Sequence, residues 1–241
     1  MSNKDGEYVS KKPKLCAYCG LDATAGPMTT EHFAARCLWA GPRPQFTRTV
    51  PVHLECNRIA AVDAEYLRDV LVLEAGAAGH PVVQKHQETI RRKIDSGRLT
   101  RVLKGVGMRP VVSPAGLYLG HAPSFKIDQS AMDRALRNVM RGIYYSVNEV
   151  PLGQDVEFKI MVEKGDNLAG VQRIIDAMVL WQGFGDDVFA CRYVFPISLP
   201  ASMNCLMAYY RYRVFYGWAC PKSLLDAADK YAAERMAALA V

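Results

Sequence analysis

Cys16-Ala-Tyr-Cys19, Thr29-Thr-Glu-His32 and His53-Leu-Glu-Cys-Asn57 follow one another in the first quarter of the chain, and their order decides how that region is read. Cys16 and Cys19 form one pair, His53 and Cys56 a second, and each pair is separated by two residues. Such spacing lets two side chains of one tight turn reach the same tetrahedral zinc ion. Glu31, His32 and Asn57 are left over. A carboxylate and an amide oxygen suit a hard divalent cation, and an imidazole suits a general base near neutral pH. The sequence therefore predicts a structural zinc site and, beside it, a second site that does chemistry.

Outward from these motifs, residues 15–56 are broken by Gly20, Gly26-Pro27, Gly41-Pro42, Pro44 and Pro51. The segment has room for a two-stranded hairpin near 28–33 and 48–53 but little apolar periodicity, so it needs a staple, and zinc supplies one. From Asn57 to about Leu73 the pattern is helical, with Ile59, Val62, Tyr66, Val70 and Leu73 at three- and four-residue steps. Asp63 falls inside that stripe. A carboxylate there needs a partner, and it either orients an Arg or His near the site or reaches a metal through water. Glu65 lies off the stripe and is left open.

Further along, a second helix is expected from Pro81 to Ile94 and short strands over 99–127. A helix capped by Asp128 or Ser130 runs to about Val147. It has Met132, Leu136, Val139, Met140, Ile143 and Val147 on one face and Arg134, Arg137 and Arg141 on the other. Residues 156–162 alternate as a strand, a helix is expected over 168–180, and 187–195 and 204–217 read as long aromatic strands. An Ala-rich helix closes the chain over 222–240. Residues 1–14 read as a mobile tail, 15–79 as one unit and 80–241 as an α+β substrate- or partner-binding domain.

The 241 residues are half apolar and about a fifth charged, which fits a globular protein with a sizeable core. There is no apolar run of ~18 residues, and the polar start lacks the core of a secretory signal, so no membrane contact is expected. Seven cysteines, an odd number, fit a reduced, cytoplasmic compartment better than a disulfide framework. Residues 84–109 hold eight Lys and Arg against Glu88 and Asp95, an excess equal to the net charge of the whole chain, +6. A local basic stretch suits a polyanion. Arg91 and Arg92 in this window and Arg134, Arg137 and Arg141 on the later helix are the expected nucleic-acid contacts.

The runs C-A-Y-C-G, T-T-E-H-F-A-A-R-C-L-W, V-P-V-H-L-E-C-N-R and D-A-E-Y-L-R-D-V-L resemble the HNH endonucleases, also called His-Me finger or ββα-metal nucleases, of the zinc-stabilised bacterial type. The resemblance covers about residues 15–75. His53 stands where a cysteine is usual. It implies an α+β protein whose N-terminal zinc-stapled ββα-metal finger precedes a domain with an antiparallel sheet. It also implies a catalytic set in which His32 is the general base and Glu31 and Asn57 hold one Mg2+ or Mn2+, with Asp63 beside them. Cys16, Cys19, His53 and Cys56 hold structural Zn2+. The implied activity is hydrolysis of nucleic-acid phosphodiester bonds, DNA above all, leaving 5′-phosphate and 3′-hydroxyl ends. Two other readings are open: a zinc-stabilised nucleic-acid-binding module that does not cut, and a component of a defence, phage or mobile-element system. In the latter, residues 80–241 dock a protein partner or a second copy of the chain.

Overall fold

The structure, a computed structural model, describes residues 15–41, 48–74, 77–96, 106–162, 176–181, 188–196, 199 and 201–227. The expected tail, the basic residues Arg98, Arg101 and Lys104, most of the helix expected over 168–180 and the end of the chain lie outside the described residues.

Two strands, β1 (Met28–His32) and β2 (Thr49–His53), pair antiparallel with Glu31 opposite Val50 and His32 opposite Thr49. β2 runs straight into helix α1 (Leu54–Leu73), for which His53 is the N-terminal cap residue. The buried face of α1 is Ala60, Asp63, Tyr66, Leu67, Val70 and Leu71, shifted from the expected stripe, because Ile59 and Val62 are exposed. Helix α2 (Pro81–Asp95) begins as its sequence predicts. Pro81 sits in the first turn, and the His80 side chain accepts from the Val82 amide at 3.2 Å.

Strands β3 (Val106–Val112) and β4 (Tyr118–Phe125) form a separate two-stranded ribbon. Every residue of β3 is exposed, and Gly116, at φ +82°, makes the turn. The base of the ribbon is tied down. Phe125 packs on the main core, and the next element, α3 (Gln129–Asn148), starts at Asp128, whose amide donates to the Tyr66 hydroxyl at 2.7 Å. The Asp128 carboxylate caps α3, accepting from the Ala131 amide at 3.1 Å.

The remaining strands are β5 (Val156–Val162), β6 (Val179–Trp181), β7 (Phe189–Val194), β8 (Met203–Tyr209) and β9 (Arg213–Pro221). They form one antiparallel sheet in the order β5-β9-β8-β7-β6. Two expectations are corrected here. Residues 179–181 are strand, not the end of a helix. The single strand expected over 204–217 is a hairpin, turning at Tyr210 and Arg211 with φ of +53° and +56°. Positive φ at both central residues is the turn that matches strand twist. It costs about 1–2 kcal/mol per non-glycine residue. Tyr210 is held in place by burial and by its hydroxyl, which donates to the Leu38 carbonyl at 2.9 Å.

Met203, Cys205, Met207 and Tyr209 alternate inward along β8 and meet the buried face of α3. A Cβ at Gly217 of β9 would come within 2.6 Å of Met140 Sδ, so the helix lies close on the sheet. One buried apolar cluster includes Phe33, Leu38 and Trp39 after β1, Tyr66 to Val72 of α1, and α3 with the sheet. Where α3 passes Phe33, Gly142 faces the ring, and any Cβ there would overlap the Phe33 side chain. A smaller cluster of Cys16, Ala17, Tyr18, Val50, Val52 and Ala60 lies behind the β1–β2 hairpin. Among the described residues, no helix is long and apolar enough to cross a membrane.

Candidate functional site

Cys16 and Cys19 lie on one turn, closed by the Gly20 amide donating to the Cys16 carbonyl at 2.8 Å, with Gly20 at φ +74°. His53 ends β2, and Cys56 sits in the first turn of α1. The four side chains converge, with their ligand atoms all within 4.8 Å of one another. A tetrahedral zinc with sulfur ligands at about 2.3 Å requires ligand separations of roughly 3.8 Å, so the cluster can hold such an ion. Cys19 Sγ and His53 Nδ1 are 3.2 Å apart. His53 Nε2 lies 2.8 Å from the Asp22 carbonyl, which only accepts, so Nε2 carries the proton and Nδ1 offers its lone pair to the cluster.

The electrostatics agree. Burial alone would push the Cys16 thiol up, but amides of Cys19, His53 and Tyr18 donate toward it and bring it below its ordinary range. Cys56 is pushed up to about 12 by burial and then by the Cys16 and Cys19 sulfurs. Thiolates crowded this closely repel one another, and a cation relieves that repulsion.

Glu31 and His32 are neighbours at the end of β1, where strict alternation would send them to opposite faces. The strand ends at His32, and both residues line one cavity of about 30 Å³ between β1, α1 and α3. That is room for a water molecule. Asn138 of α3 and the Tyr209 hydroxyl, buried and without a hydrogen-bond partner, line the same cavity. Glu31 also borders a wider cleft of about 670 Å³, walled by the segment Ala35–Gly41, the α1 face Ala61, Ala64, Glu65 and Arg68, and His86 and Thr89 of α2. Small residues at 61 and 64 leave the helix surface open there.

Asn57 is half-buried on the first turn of α1. It lies one turn before Ala61, which lines both spaces, and itself lines neither. Asp63 is 3% exposed, and both its oxygens accept from Arg134, each at 2.8 Å. Arg134 is therefore neutralised by Asp63, and Asp63 ties α1 to α3. Arg91 and Arg92 are exposed on α2. Arg92 reaches Thr89 at 3.5 Å, which sets it at the rim of the wide cleft. Arg137 and Arg141 lie over the Phe158 ring of β5, with Cζ atoms 5.7 and 5.1 Å from its centroid.

The wide cleft also includes Arg36, Trp39, Arg68 and His86, to which the sequence assigns no role. Arg68 is paired with Asp69 at 2.6 Å, and His86 Nε2 donates to the Leu38 carbonyl at 3.1 Å. Arg36 is exposed and has no carboxylate partner among the described residues. The small residues Ala61 and Ala64 beside Glu65 were the signal that this helix face borders open space. No protein-family model matches the chain, and neither a curated protein nor a solved structure matches it.

Proposed function

We propose that this chain is a metal-dependent endonuclease of the HNH, or His-Me finger, kind, hydrolysing phosphodiester bonds of DNA. In this reading β1, β2 and α1 are the ββα-metal finger. One observation carries it: Glu31 and His32 line a common cavity at the end of a hairpin whose other end is tied by the Cys16, Cys19, His53 and Cys56 cluster. A base and a hard oxygen donor thus share one space on a stapled, ordered frame, as preorganised catalysis requires.

The His32 imidazole takes the proton from a water molecule as that water attacks phosphorus; the P–O3′ bond breaks, and the departing 3′ oxygen takes up a proton from solvent to leave a 3′-hydroxyl and a 5′-phosphate. Glu31 would hold one Mg2+ or Mn2+, and Asn57, the second donor that the resemblance implies, lies one turn before Ala61 and lines neither space that Glu31 borders. Glu65, along the same wide cleft, adds a second carboxylate, and such a pair favours a hard cation. When bound, the ion supplies Lewis-acid stabilisation of the charge that develops on the phosphate oxygens. Arg36, exposed at the cleft and without a carboxylate partner among the described residues, draws the phosphate in. Asp63 holds Arg134 and so fixes α3, which carries Asn138, against the cavity.

The test is plasmid nicking by the zinc-loaded chain with added magnesium or manganese. His32→Ala lowers the rate about 100- to 10,000-fold while zinc content and circular dichroism stay as in wild type. Nicking by His32→Ala at the wild-type rate places the base elsewhere. A wild-type protein that binds duplex and single strands but cuts neither in any divalent ion sinks the nuclease and leaves a binding module.

A further inference from the structure

Arg137 and Arg141 are four residues apart on α3, so they lie side by side on one face of the helix. Both guanidinium groups stack over the same aromatic ring, Phe158, at 5.7 and 5.1 Å. Both Nε atoms are buried and have no hydrogen-bond partner. Among the described residues, neither arginine makes a hydrogen bond or an ion pair. The contrast with Arg134, one turn earlier, is direct: there a buried carboxylate takes two N–H groups.

Two adjacent, half-buried cations without an ion-pair partner among the described residues repel each other and lose hydration. Burial, and then the Arg137 charge, hold Arg141 below the usual arginine range. The charges that act the other way are the sulfurs of Cys19, Cys16 and Cys56. The aromatic ring lies against both guanidinium groups, and their N–H groups have no acceptor among the described residues. Arginine forks held in this manner match the oxygens of a phosphate group.

We propose that Arg137 and Arg141, stacked on Phe158, form a phosphate clamp that grips a backbone phosphate of the nucleic-acid substrate. Neither arginine lines the two spaces that Glu31 borders, so the phosphate held here is not the one that reacts. The clamp rests on the nucleic-acid part of the function proposed above. It adds a second point of attachment, which orients the strand across the α3 side of the finger. Its place on α3 also explains why a sheet strand bears a half-buried phenylalanine opposite two arginines: Phe158 is the platform.

Binding of a labelled duplex to the full-length, zinc-loaded chain, without magnesium, across about 50 to 200 mM salt, tests it. The double variant Arg137→Gln/Arg141→Gln is expected to bind about 10- to 100-fold more weakly. Its salt dependence is expected to be shallower by about one unit of log–log slope. Arg137→Lys/Arg141→Lys keeps the slope but not the full affinity, because an ammonium lacks the fork. Because the Gln variant removes two repelling charges, its melting temperature in chloride is expected to match or exceed that of wild type. Inorganic phosphate at matched ionic strength should raise the wild-type melting temperature and leave that of the variant unchanged.

Unchanged affinity and slope in the Gln variant overturn the clamp. So does loss of zinc in parallel with loss of binding, which would make Arg141 the counter-charge of the cysteine cluster instead. If wild type binds no nucleic acid but phosphate stabilises it and not the variant, the anion site stands and the nucleic-acid reading falls. If duplex binding drops in the variant while wild type never cuts, the clamp stands and the nuclease falls.

Discussion

Among the described residues, two β-ribbons stand apart from the five-stranded sheet, β1–β2 and β3–β4, and they are secured in opposite ways. A two-stranded ribbon is marginal in water on its own. In β1–β2 the strands have only five residues each, yet Val50 and Val52 are buried and the ribbon is flanked by the four-ligand cluster, α1 and α3. In β3–β4 the strands are longer, seven and eight residues, but Met108, Val112, Leu117, Tyr118 and Leu119 are more than half exposed. The longer ribbon therefore relies on its ladder, its turn and the anchor at Phe125, whereas the shorter one relies on what surrounds it. Ribbon length says little about burial here, and the better-buried ribbon is the one that bears Glu31 and His32.

The sharpest way to break this contrast is to remove the staple. A metal chelator, or Cys16→Ser, is expected to abolish amide exchange protection across β1–β2 and the start of α1. Protection in the sheet around β8 should persist. Structural zinc contributes on the order of 10 kcal/mol in small sites, so this is the largest effect expected. It is also pH-dependent. With Cys56 pushed up to about 12, the metal-free site holds a proton at neutral pH that the ion must displace. Zinc affinity should therefore fall as pH is lowered from about 8 to about 5, read out with a chromophoric chelator. Full β1–β2 protection in the metal-free protein would mean that packing alone holds that ribbon.

A smaller effect tests the packing contribution without touching a ligand. Gly142→Ala sets a methyl group against Phe33, immediately after β1. Overpacking of this kind costs about 1–3 kcal/mol, visible as a lower urea midpoint with unchanged zinc content. A wild-type midpoint would show that α3 and the hairpin yield easily. At the far end of the scale, Leu119→Ser on the exposed ribbon should change stability by no more than about 0.5 kcal/mol. A larger loss would reveal that β3–β4 is covered in solution by something that this chain does not supply.

The metal cluster was legible because its information is local: two short spacings name four ligands. β1, β2, α2, α3 and β5 were legible from punctuation and period, and Asp128 as a cap from the residues that follow it. Partners distant in sequence were not legible. Asp63 meets Arg134 from 71 residues away, and nothing near either residue names the other. The same holds for Phe158 under Arg137 and Arg141. The β8–β9 turn was missed because Tyr210 and Arg211 take a conformation that glycine or asparagine normally announces. The shifted face of α1 has a similar cause. Asp63 and Tyr66 face inward as expected, but Ala60, Leu67 and Leu71, rather than Ile59 and Val62, complete the buried face against elements distant in sequence.

Gly142 also bears on inheritance. A hairpin and helix that carry a four-residue cluster able to hold a metal look like a cassette that could pass intact between proteins. Here Phe33 leaves that unit and occupies the volume of a missing side chain on α3. A recipient with any larger residue at that point would reject the graft, and a recipient without α3 would leave the ring in water. Positions 33 and 142 are thus expected to change together in descendants of this chain: a smaller residue at one permits a larger residue at the other.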